Sequence, residues 1–184
     1  LIIALAFAVL TLIALMLRER GKLPSLAPDN GEQAILSSLL AIAFILRLVL
    51  AAIVQGYPND IACWQGWGSR MMQVGPWNFY ESGWCDYPPA YMYVLALIDG
   101  LRTLVGAQDN AALSQVLVKL PAMLCDLVSA MLIYKWLKRE NVRGGMALWL
   151  VTFYVFNPAT VFDSAAWGQI DSVFTLMVVA AVYM

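Results

Sequence analysis

The chain contains no histidine. That removes the commonest metal ligand and the usual general base near neutral pH. Acid–base work therefore falls to carboxylates, Tyr, Lys or Cys, and an intramembrane Ser–His protease is excluded for these residues. Charge is also scarce. Only 12% of residues are Asp, Glu, Lys or Arg, about half the roughly 25% of an ordinary soluble domain. A net charge of −1 gives no reason to expect nucleic acid as a partner. Cysteine is limited to Cys63, Cys85 and Cys125. Outside the cytosol Cys63 and Cys85 could pair; two free thiols fit their spacing equally well. There is no Gly-rich phosphate cradle, no zinc-spaced Cys cluster and no Gly-x-Ser-x-Gly elbow. No tightly held metal or cofactor is expected, while weakly held Mg²⁺ or Mn²⁺ stays compatible with the sequence.

What fills the chain is apolar: 62% of residues are hydrophobic. A bilayer span needs roughly 20 mostly apolar residues. Candidates are 1–17, 34–54, 113–137, 146–162 and 173–184. The expected class is all-α, a polytopic transmembrane helical bundle with a long outer loop bearing interfacial helices. The stretch 1–17 could also be a signal-peptide core, but no small-residue cleavage site follows it. The chain opens on Leu1 and stops inside an apolar run, and 1–184 reads as the N-terminal transmembrane part of a longer protein.

Arg18, Arg20 and Lys22 follow the first run, and Lys138, Arg139 and Arg143 follow 113–137. Positive charge in short loops marks the cytoplasmic side. With 18–33 inside, 34–54 exits and the loop 55–90 lies outside. The segment 91–106 is short and carries Asp99 and Arg102, at about 2.5–3.5 kcal/mol per mid-membrane charge. It is expected to dip into the membrane or lie on it. The helix 113–137 then runs inward, and 146–162 returns residues 157–171 to the side of Asp60 and Asp86.

The loop 55–90 holds four of the seven tryptophans, with Asp60 and Asp86 among them. Trp prefers the headgroup level. Residues 62–74 are expected to form a short interfacial helix with a stripe of Trp64, Trp67, Met71 and Met72. A helix is expected to open near Pro89, with Asp86 just ahead of its positive end.

Several residues have two readings. Asp60, in Tyr57-Pro58-Asn59-Asp60, is either a functional acid at the interface or a solvated N-cap. Asp86, in Asp86-Tyr87-Pro88-Pro89, has the same two readings. Lys119 either pairs with Asp126 seven residues on or holds a phosphate as a point charge. Arg47 is read as a helix-packing charge. The polar run from Asn157-Pro158 to Trp167-Gly168-Gln169-Ile170-Asp171 combines a stacking ring with hydrogen-bonding groups suited to sugars; the alternative is a loop with an interfacial Trp. Pro158 should break the helix before it.

Taken in order, the acid after a span, Asp86-Tyr87-Pro88-Pro89, Lys119-Leu120-Pro121, Asn157-Pro158 and Trp167-Gly168-Gln169-Ile170-Asp171 resemble the N-terminal module of the GT-C integral-membrane glycosyltransferases. The likeness is nearest to bacterial mannosyltransferase-like members. It extends to lumenal glucosyltransferases and protein O-mannosyltransferases, and covers residues 34–184. It implies a polyprenyl-phosphate sugar donor and a glycan, lipid or protein acceptor on the non-cytosolic side of a bilayer, in a bacterial plasma membrane. It implies Asp60 as catalytic base and Lys119 near the phosphate. Asp86, Tyr87, Trp167, Gln169 and Asp171 are expected to bind substrate, and Arg70 is a second candidate for the leaving phosphate. Several members carry two adjacent acids where this chain has Asn59-Asp60. One alternative is a multi-pass transporter or flippase for lipid-linked sugars or small solutes, using the same acids for coupling; inverted repeats would mark it, and none is evident. A second is a non-catalytic membrane subunit that only binds polyprenyl lipids.

Overall fold

The computed structural model describes residues 31–184. The candidate span 1–17 and the cluster Arg18, Arg20 and Lys22 lie outside the described residues, which contain helices and turns and no strand. The elements in order are α1 (Glu32–Ile53), α2 (Pro58–Asn78), α3 (Pro89–Leu104), a 3-10 turn (Ala107–Asp109), α4 (Ala111–Arg139), α5 (Gly144–Val155), α6 (Pro158–Val161), a π-helical turn (Phe162–Trp167) and α7 (Asp171–Tyr183).

Among the described residues, α1 and α4 are long and apolar enough to cross a membrane. A third candidate is α5 with the Pro158–Trp167 stretch, bent by 44°. Each has a local cause in sequence. On α1, Ala43, Arg47 and Ala51 recur every fourth residue and form the buried stripe. Ile42, Ile45, Val49 and Ile53 point outward and are more than half exposed, an apolar face suited to lipid. Asn110 caps α4 by accepting from the Leu113 amide at 3.0 Å. Lys138 and Arg139 close α4 at its negative end. The bend after α5 falls where Pro158 interrupts the ladder, and Asn157 caps the new helix through the Ala159 amide at 2.9 Å.

The polar contacts set the helix directions. At one end, Glu32 opening α1 accepts from Tyr134 at 2.7 Å and Lys138 at 3.0 Å, both late in α4. Arg139 donates to the Tyr183 carbonyl at the close of α7. At the other end, Lys119 early in α4 donates to the Val54 carbonyl just past α1. So α1 and α4 are antiparallel, and α7 runs with α4. Ala43, Ala130 and Ala147 are fully buried where α1, α4 and α5 meet; small side chains let helix backbones approach closely. A Cβ at Gly144 would overlap the Glu32 carboxylate and force that side chain to move.

The loop 55–90 departs from the expected short helix. Helix α2 runs from Pro58 to Asn78, with a break at Gly75 (φ 73°) before Pro76. Trp64, Trp67 and Met71 are buried against Tyr91, Met92 and Leu95 of α3. Met72 is 58% exposed, off that stripe. Gly68 permits the close approach, since a Cβ there would sit 2.7 Å from the Leu95 carbonyl oxygen. Helix α3 is not among the helices of spanning length. Its Asp99–Arg102 pair is buried and closed at 2.7 Å, with Arg102 also donating to Ser114 at 2.8 Å.

Candidate active site at the Asp60 end

Asp60 is the third residue of α2, after Pro58 and Asn59. A carboxylate is favoured there by the helix dipole. Tyr57, not Asp60, occupies the N-cap position, and no side chain caps this helix, so the capping role does not hold. Instead Asp60 reaches across to the turn after α6. Its Oδ2 accepts from Trp167 Nε1 at 3.1 Å and, in a short bond, from Gln169 Nε2. Its Oδ1 has no protein partner among the described residues.

The turn is pinned through three consecutive carbonyls. Ala166 accepts from Lys119 Nζ at 3.1 Å, Trp167 from the Tyr57 amide at 3.2 Å, and Gly168 from Trp64 Nε1 at 3.2 Å. The wide π turn brings the amides of Gly168 and Gln169 onto the Asp163 carbonyl, each at 3.0 Å. Such turns are rare and frequent at functional sites. Two glycines make the contact possible. Gly168 sits at φ 90°, and a Cβ there would press on Ile61 and Lys119. Gly56 sits at φ 77°, where a Cβ would come 2.5 Å from the Trp167 oxygen.

An aromatic groove of about 190 Å³ is walled by Tyr57, Phe162 and the same Trp167 that donates to Asp60. Tyr57 and Phe162 each place a ring 5.8 Å from Trp167. Tyr87 packs edge-on to Trp64 at 4.8 Å. Burial pushes its phenol upward, and the carboxylates of Asp171, Asp86 and Asp60 push the same way. Those three acids thus share one electrostatic neighbourhood. A smaller apolar groove of about 110 Å³ runs between α3 and α7, lined by Tyr87, Tyr91, Val173, Phe174 and Met177.

The other candidate residues fall as follows. Asp86 is exposed, and Pro88 holds the N-cap position of α3 with no side-chain cap, so Asp86 does not cap that helix. Asp171 is exposed in the first turn of α7. Lys119 is 1% exposed and does not pair with Asp126; its ammonium donates to Val54 O at 2.7 Å and to Ala166 O. Asp126 pairs instead with Arg47 at 3.1 Å. Arg70 stacks over Phe79 at 4.2 Å and donates to the Trp84 carbonyl, which ties it to the α2–α3 loop. Cys63 and Cys85 are free thiols. Among the described residues, no three Cys, Asp or Glu side chains are placed to share a metal ion.

Tyr57, Trp64 and Phe162 also belong to this corner. Tyr57 carried a signal, standing three residues before the acid between a glycine and a proline. Trp64 and Phe162 had none, because their roles depend on contacts between distant segments. Comparison with family models gives no match, and comparisons with curated proteins and with solved structures give none either.

Proposed function

We propose that this chain belongs to a multi-pass membrane glycosyltransferase resembling the GT-C superfamily, mannosyltransferase-like and inverting. It transfers a sugar from a polyprenyl-phosphate donor to an acceptor hydroxyl, with Asp60 as general base. One observation carries the reading: Asp60 is held through one oxygen by Trp167 and Gln169, its other oxygen has no protein partner among the described residues, and the Trp167 that holds it walls an aromatic groove. A general base needs that combination of fixed position and an available lone pair.

In the proposed reaction the acceptor O–H gives its proton to Asp60 Oδ1. The acceptor oxygen bonds to the anomeric carbon as the carbon–oxygen bond to phosphate breaks. The electron pair leaves with polyprenyl phosphate. Lys119 is a buried cation with no carboxylate partner among the described residues, and its positive field under the corner favours a leaving phosphate. Tyr57, Phe162 and Trp167 offer a face on which a sugar ring can stack. The apolar groove between α3 and α7 suits a lipid chain. Lys138 and Arg139 lie at the opposite end from Asp60, which supports an outward-facing site in a plasma membrane.

The test uses the full-length protein in nanodiscs with polyprenyl-phosphate [¹⁴C]mannose or the glucose analogue. Wild type should consume donor and Asp60→Asn should not, while eluting as the same folded species. Full consumption by Asp60→Asn sinks the assignment. A transporter or flippase has one observation in its favour, the charged Arg47–Asp126 pair inside the helices; it would leave the donor chemically intact.

A further inference from the structure

A polar cavity lies on the opposite flank of α2 from Asp60. It encloses about 370 Å³ between the start of α2, the 3-10 turn and the first turns of α4. Four of the seven glutamines of the chain line it: Gln55, Gln65, Gln108 and Gln115. Arg102 and Asp109 complete its polar rim.

The amides are held rather than free. Gln65 Nε2 donates to Ser114 Oγ at 3.2 Å, and Gln108 Nε2 donates to Thr103 Oγ1 at 2.9 Å. Gln115, with its nitrogen turned toward the backbone carbonyls, donates to Gln55 O at 2.7 Å. The amide nitrogens of Gln65, Gln108 and Gln115 are therefore engaged, which leaves their oxygens to accept. Arg102 is 8% exposed and is fixed by Asp99 through NH1 and by Ser114 through Nε. Its NH2 makes no hydrogen bond among the described residues, and Arg102 lines the same rim.

The chemistry of this rim selects a ligand class. The Arg102 charge is cancelled by Asp99, and Asp109 leaves the rim negative, so an anion is disfavoured. An apolar chain would leave several amide oxygens without a donor. A neutral polyhydroxy compound meets the pattern, because its hydroxyls donate to the amide oxygens and accept from Arg102. We infer that this cavity is a carbohydrate-binding subsite that holds a glycan acceptor. The role as acceptor site rests on the transferase reading above; the binding itself does not.

The placement fits. Pro58, Ile61, Ala62 and Gln65 recur at helical spacing on one face of α2 and line the cavity. Asp60 lies on the other face of the same turn. The intervening distance is the width of a helix, about 10–12 Å, on the order of one disaccharide. A glycan lying across the exposed start of α2 would seat one unit among the glutamines and offer the next to Asp60.

The test is saturation-transfer NMR on the full-length protein in nanodiscs, with soluble manno-, gluco- and galacto-disaccharides and trisaccharides at millimolar concentration. At least one should bind wild type. Gln65→Leu/Gln108→Leu should weaken that binding tenfold or more, and the exposed single variant Gln108→Ala severalfold with the fold intact. Gln73→Leu, two turns along α2 and outside the cavity, should bind like wild type. The inference is overturned if no saccharide binds, if binding survives the double variant, or if it is lost in Trp167→Ala instead. Donor consumption is scored separately. Saccharide binding without donor consumption would retain this site and reject the transferase.

Discussion

Asp60 and Asp126 each gather two donors on Oδ2 and leave Oδ1 without a protein partner among the described residues. Asp60 takes Trp167 Nε1 and Gln169 Nε2. Asp126 takes Arg47 Nε at 3.1 Å and Ser164 Oγ at 2.6 Å. The setting differs. Asp126 and Arg47 are 1% and 0% exposed, between α1, α4 and the π turn. Asp60 is partly exposed at the helix ends, and both its donors are neutral. In the interior the carboxylate is answered by a cation, and the pair acts as a rivet between helices. At the corner the dipoles aim the carboxylate without cancelling its charge. Two similar hydrogen-bond patterns therefore differ in the partner's charge and in access, and the proposed role of Asp60 as a base rests on that difference.

The largest effect should come from splitting the interior pair. Arg47→Met leaves Asp126 buried and unpaired, at about 3–5 kcal/mol. Thermal unfolding in detergent, followed by size-exclusion recovery, should show a marked loss of folded protein. Arg47→Met/Asp126→Leu should restore most of it. A single variant as stable as wild type would contradict the buried pair.

At the corner the damage should be chemical. Asp60→Asn should lower sugar transfer about 10²–10⁴-fold and change stability by less than about 1 kcal/mol. If its unfolding temperature falls as far as that of Arg47→Met, the contrast between the two acids collapses.

Gln169→Leu removes one charge-assisted donor, worth about 1.5–3 kcal/mol, so transfer should fall about tenfold to a hundredfold. Because the group positions Asp60, the loss should appear in kcat more than in KM, and Gln169→Asn should recover part of it. An unchanged kcat removes Gln169 from the positioning role.

The smallest effect probes charge at the corner. Burial pushes the Cys63 thiol up, and Asp60 raises it further, followed by Asp86 and Cys85. The thiolate is the reactive form. A raised thiol is therefore slow toward a neutral maleimide at pH 7, and its rate should climb about tenfold per pH unit until the thiol titrates. Asp60→Asn removes a negative neighbour, lowers the thiol and should quicken labelling by a small factor. Slower labelling in that variant would reverse the sign expected here.

Much of the framework was legible residue by residue. Long, mostly apolar runs marked α1 and α4, Pro89 marked the start of α3, and Pro158 marked the 44° bend. The polar cluster at Trp167 and Gln169 was visible as an interruption of apolar sequence, and so was Asp60. Pairings between helices were not legible. Lys119 and Asp126 share a helix face at seven-residue spacing, which made them natural partners. Seven residues span about 10.5 Å along a helix axis, whereas Arg47 of α1 lies directly against Asp126. Capping by Asp60 and Asp86 failed for a related reason. A proline opens each of α2 and α3, and Asp60 is drawn to donors more than a hundred residues away.

The sequence by itself determined helical class, apolar faces, breaks and the supply of acids, because each follows from local hydrophobicity and backbone chemistry. The tertiary structure alone decided which acid is neutralised by a cation and which is merely aimed. It decided that Lys119 spends its donors on Val54 and Ala166, and that four glutamines separated by up to sixty residues line one cavity. These outcomes depend on the rotation and vertical register of packed helices, which only the sum of their contacts sets.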